Sequence, residues 1–96
     1  MATFKDVQAQ SEQIKKIAAT CGVDHIRVFG SVARGEALQN SDIDFLVHFN
    51  NKSNLMDLVK LKYELEQLLH QHVDVVTEQG LHWYIRESVL REAREL

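Results

Sequence analysis

Proline is absent from the 96 residues, and no stretch is dominated by glycine, serine or one sign of charge, so the chain holds no linker, repeat or low-complexity segment. Cysteine occurs once, at Cys21. An internal disulfide is therefore ruled out and a reducing compartment is expected, with Cys21 read as a small buried apolar residue. Basic residues are in deficit: 11 Lys and Arg stand against 14 Asp and Glu, a formal charge of -3. A field of that sign does not favour DNA or RNA, so no direct nucleic-acid binding is expected. No apolar run approaches the length of a membrane span, and no basic start followed by an apolar stretch and a cleavage site opens the chain. The expected setting is the cytoplasm, away from membranes.

What is present suits an ordinary folded domain, with 45% apolar and 26% charged residues. A core divided in two at this length could not offset the entropy of ordering both halves, so residues 1–96 are expected to form a single domain.

Between Phe4 and Cys21 the apolar residues Val7, Ile14, Ile17, Ala18 and Cys21 recur at helical spacing, with Lys15 and Lys16 between them, and Gly22 supplies a stop. The pattern predicts one helix with one buried face. Ile26 to Phe29 reads as a first strand ending at Gly30. Ile43 to Phe49 reads as a second, with Ile43, Phe45, Val47 and Phe49 on one face and Asp42, Asp44, Leu46 and His48 on the other. At least a loop, with room for one helical turn, lies between them. A second long helix follows Ser53 or Asn54 as cap, with Leu55, Leu58, Val59, Leu65, Leu68 and Leu69 as its apolar stripe. "VDVVT", Val73 to Thr77, is a third strand closed by a turn at Gly80. Leu81, Ile85, Val89, Leu90 and Ala93 mark a terminal helix, whose Glu and Arg residues from Arg86 to Glu95 read as a solvated face.

The expected class is α+β: a small sheet covered by helices. The first two strands are too close for a helical crossover and should be antiparallel, which makes the sheet mixed.

Asp42 and Asp44 lie two residues apart at a strand start, so the period of two sends both carboxylates to one face. Like charges at that distance repel unless a cation sits between them, and magnesium, which prefers oxygen ligands and often shares them with phosphates, is the natural one. Gly30 allows a phosphate to approach the backbone, Ser31 offers a hydroxyl and an amide, and Arg34 can add a charge-assisted bond before the chain turns at Gly35. Asp74, on the third strand, converges on the pair if that strand lies beside the second. Three such acids can hold two metal ions.

Gly30-Ser31, ten residues, Asp42-Ile43-Asp44 and a later strand aspartate resemble the nucleotidyltransferase superfamily that includes DNA polymerase beta and the aminoglycoside nucleotidyltransferases. "GSVARGEALQNSDIDFLV" and "VDVVTEQGLHWYIRESVLREA" resemble the minimal nucleotidyltransferases of prokaryotes over nearly the whole chain. The resemblance implies the minimal nucleotidyltransferase fold, ATP as substrate, and magnesium on Asp42, Asp44 and Asp74, which would be the catalytic residues. Gly30 and Ser31 would hold the triphosphate, with Arg34 and Ser41 as further candidate contacts to the nucleotide and its phosphates. It further implies a small HEPN ribonuclease toxin as partner, neutralised by transfer of AMP to a tyrosine.

Plainer readings accompany these. Asp-x-Asp can be turn chemistry, Asp74 an edge residue facing water, and Arg34 a surface partner of Glu36. Ser41 could cap the turn or brace the metal ligands. The five histidines, His70 and His72 included, lack zinc-ligand spacing. Trp83 and Tyr84 could anchor the last helix or meet a partner. A stoichiometric toxin-binding antitoxin with a vestigial nucleotide site is the alternative function, and a small-molecule transferase completed by dimerisation is a third.

Overall fold

The computed structural model describes residues 3–38, 40–50 and 53–96. In chain order the elements are α1 (Phe4–Gln8), α2 (Ser11–Thr20), β1 (Val23–Phe29), α3 (Gly30–Arg34), β2 (Ile43–Phe49), α4 (Leu55–Leu69), β3 (Val73–Thr77), α5 (Trp83–Glu92) and β4 (Arg94–Glu95). The sheet runs β3-β2-β1-β4. β1 is antiparallel to β2 and to β4, whereas β2 and β3 are parallel, with α4 as the crossover between them. The mixed α/β architecture expected from the sequence is the one observed.

Ile43, Phe45 and Val47 lie on the core face of β2 and are wholly buried, packed with Val28 of β1, Val73 of β3, Ile14 and Ala18 of α2, and Leu61 and Leu65 of α4. Burial of each large side chain of this kind is worth about 1.5–3 kcal/mol. Leu46, on the other face, is also fully buried. The centre of β2 is thus buried on both faces, and the polar residues on its Leu46 face, Asp44 and His48, stand toward its two ends.

Four expectations need revision. The single N-terminal helix is two, broken at Ala9–Gln10; Thr3 and Asp6 form a reciprocal cap on the first, and Gln10 donates to the Val7 carbonyl at the break. A straight helix over those residues would span about 27 Å, and the break keeps Phe4 and Val7 on the same core as Ile14. β1 begins at Val23, three residues before the predicted start, because Asp24 and His25 face a polar surface and mask the strand pattern. On α4 the buried residues are Leu61 and Leu65, whereas Leu55 and Val59 of the predicted stripe are exposed. Of the two cap candidates, Asn54 is the one that caps this helix, as the sequence allowed, in a box with Asp57. Finally, the chain after α5 forms β4, which pairs Glu95 with Arg27 and Arg94 with Val28 along the free edge of β1.

Candidate functional site

The site forms where β1 passes into α3 and β2 begins. Gly30 has φ +74°, a conformation that side chains other than glycine rarely adopt. The space its Cβ would fill is taken by the Asp44 side chain, whose Cγ would lie 3.1 Å away. The glycine therefore does two things: it turns the chain from strand to helix and lets the Asp44 carboxylate pack against the backbone.

Asp44 is opposite Phe29 on β1 and opposite Asp74 on β3. Residues in direct register on neighbouring strands point to the same face, so Asp44 and Asp74 share one face of the sheet. Asp42 lies just ahead of β2 and is exposed, as is Asp74, while Asp44 is half-buried. Burial, followed by the charges of Asp74 and Asp42, pushes the Asp44 carboxyl up to about 6; Arg34 offsets part of this and Glu92 adds to it.

Arg34 extends from the end of α3 and pairs with two carboxylates, Nη1 to Glu92 at 3.0 Å and Nε to Glu36 at 3.4 Å. These partners hold its guanidinium pKa above the usual value, Glu92 first. Ser31 is half-buried in the first turn of α3. The Ser41 hydroxyl accepts the Leu38 N–H at 2.8 Å, and its carbonyl accepts Gln71 Nε2 at 2.6 Å. Its side chain is thus engaged in the turn before Asp42. Beside that turn opens a polar cavity of about 610 Å³, lined by Asp42 together with Glu66, His70, Gln71 and His72.

Among the described residues, no three His, Cys, Asp or Glu side chains are drawn close enough as they stand to hold a metal ion. The donor chemistry nonetheless suits a hard divalent cation. The acids are oxygen donors, two of them share a register position, and the least exposed is made a poorer anion by its burial and then by the others. Three of the five histidines instead pair with carboxylates: His48 with Asp24 at 2.7 Å, His25 with Glu95 at 2.7 Å, and His72 with Glu66 at 3.5 Å.

Glu92 went unrecognised in the sequence, where it belonged to a run of solvated charge. Its side chain is only 25% exposed, and besides Arg34 it accepts the Gly30 N–H at 3.1 Å. No local spacing signals this, because the partners are 62 and 58 residues away. Arg27 and Glu78 form a second unanticipated pair, 3.1 Å apart and largely buried.

Residues 10–96 match the nucleotidyltransferase domain family. The chain belongs to that family. Within it, the protein adenylyltransferase MntA of Thermococcus cleftensis is 38% identical over 93 residues, 96% of this chain and 94% of its own. A solved structure put forward as a minimal nucleotidyltransferase superposes with a TM-score of 0.89 at 45% identity, over 99% of this chain and 97% of that one. These relatives identify a minimal nucleotidyltransferase, an enzyme. The same fold, at 20% identity and a TM-score of 0.69, occurs in the complex of a tri-AMPylated Shewanella oneidensis HEPN toxin with its MNT antitoxin, over 92% of this chain and 69% of that one.

Among the described residues no helix is long and apolar enough to cross a membrane.

Proposed function

We propose that this minimal nucleotidyltransferase is a magnesium-dependent protein adenylyltransferase. It transfers AMP from ATP to a tyrosine of a HEPN ribonuclease toxin in the cytoplasm, and so acts as the antitoxin. The observation that carries the reading is the opposition of Asp44 to Asp74 across β2 and β3, with the Gly30 turn packed on the other side of Asp44. Support for the acceptor comes from the adenylyltransferase name of the Thermococcus relative and from the AMPylated toxin in the complex that shares the fold.

In this reading Asp42, Asp44 and Asp74 would hold two magnesium ions, whose positive charge would offset the negative charge of the triphosphate and of the departing pyrophosphate. Gly30 admits a phosphate to the backbone, and Ser31 offers it a hydroxyl and an amide. Arg34 supplies the fixed positive charge on the pyrophosphate side, where charge accumulates as the bond to the α-phosphorus breaks. Ser41 acts through the turn it closes, setting the approach of the chain to Asp42. The acceptor hydroxyl would attack opposite the leaving group, and Asp74 would receive its proton. The tyrosine oxygen then bonds to the α-phosphorus as pyrophosphate departs.

A stoichiometric mode of neutralisation is favoured by one observation: Trp83 and Tyr84, at the start of α5, are 78% and 76% exposed and offer an aromatic contact surface. Growth of cells expressing the toxin separates the two. Adenylyl transfer requires that the wild-type chain rescue growth and that the Asp42→Asn/Asp44→Asn variant, produced at equal level, fail. Full rescue by that variant would favour neutralisation by binding.

A further inference from the structure

The Glu92 carboxylate, at the last residue of α5, bridges two groups that the sequence assigned to a bound phosphate. One oxygen accepts the Gly30 N–H at 3.1 Å and the other accepts Arg34 Nη1 at 3.0 Å. Its own position is fixed from behind. β4 follows after one residue and pairs with the edge of β1. Arg94 lies over the Phe4 ring at 3.8 Å from its centre, and donates to the Ala33 carbonyl of α3 at 3.4 Å. The final segment thus grips α3 at both ends, through Glu92 at Gly30 and Arg94 at Ala33.

From this geometry we infer that Glu92 is a positioning residue for nucleotide binding: it holds the Arg34 guanidinium in fixed relation to the Gly30 turn, so that the free edge of the guanidinium meets the triphosphate without reorganising. The inference rests on the nucleotidyltransferase site proposed above. An arginine on a five-residue helix has four side-chain torsions to order when an anion arrives, and that ordering weakens binding. Glu92 and Glu36 order it beforehand by taking Nη1 and Nε. Among the described residues, Nη2 meets no acceptor, and this edge remains for a phosphate. Simple charge counting opposes another carboxylate next to a phosphate site. Glu92 therefore belongs there for the geometry it imposes, not for its charge.

The test is the affinity of the folded chain for the non-transferable ATP analogue AMP-PNP with magnesium, by calorimetry, well below each variant's melting temperature. Glu92→Ala is expected to weaken binding about tenfold, the scale of one charge-assisted bond. Glu92→Gln can accept one of the two bonds, and should weaken binding about threefold. In an Arg34→Ala background, Glu92→Ala should change affinity less than about twofold, because the group it positions is gone. A general loss of structure would instead weaken binding equally in both backgrounds and overturn the inference. So would unchanged or tighter binding in Glu92→Ala, tighter binding marking the carboxylate as a competitor of the phosphate. Should Glu92→Ala not fold, the two Glu92→Gln comparisons, with and without Arg34, decide the matter in the same way. A wild-type chain that binds no analogue would refute the nucleotide site itself, an outcome separate from normal wild-type binding that Glu92 substitutions leave untouched.

Discussion

Gly30 and Asp44 occupy each other's space: a methyl group on the glycine would overlap the carboxylate, and the glycine backbone is left-handed besides. Gly30→Ala therefore meets both penalties at once. The backbone alone costs about 1–2 kcal/mol, and Asp44 must also move. The variant should melt roughly 5–15 °C below the wild type and, with Asp44 displaced by an ångström or so, lose about 100-fold in adenylyl transfer. Thermal denaturation followed by an activity assay checks both, and an active Gly30→Ala enzyme would mean that the packing of Asp44 on this turn is immaterial.

Asp44 titrates near 6 in the folded chain against 3.8 for an unperturbed aspartate, burial being the chief cause and Asp74 the next. Between those values the native state binds more protons than the unfolded state. Its contribution to stability therefore falls as pH rises from about 4 to about 6, and stays low above. Without divalent cations, Asp44→Asn should be more stable than the wild type at pH 7.5, and the advantage should shrink to nothing near pH 4. Urea denaturation at the two pH values measures this. An advantage that is independent of pH would assign the effect to packing instead.

In the proposed reading magnesium would act on the same balance from the other side, binding the folded state and relieving the repulsion among Asp42, Asp44 and Asp74. At a concentration well above its Kd, it should raise the melting temperature of the wild type by about 5 °C or more. Asp42→Asn/Asp44→Asn should show no such rise. Equal shifts in both proteins would place the cation elsewhere.

How far the sequence revealed this molecule depended on the range of the interactions. β2 and β3 were readable to the residue because a run of alternating or continuous apolar side chains is local, and the parallel pairing that opposes Asp44 to Asp74 follows from the α4 crossover. β1 was cut short because Asp24 and His25 are polar, yet each is satisfied by a partner from another strand, His48 and Glu95. Leu55 and Leu61 look alike in a helical pattern, and only the direction from which α4 meets the sheet decides that Leu61 is buried. Glu92 was hidden for the same reason as β4. Both depend on the last residues returning to the edge of β1, a contact between distant segments that no local period encodes.

The central claim, adenylyl transfer to a protein, is tested most directly by the intact mass of the HEPN protein after incubation with this chain, ATP and magnesium, with Asp42→Asn/Asp44→Asn as the parallel sample. The account predicts a gain of one or more AMP units with the wild type and none with the variant. A HEPN protein that co-purifies with the wild-type chain yet keeps its original mass would contradict it.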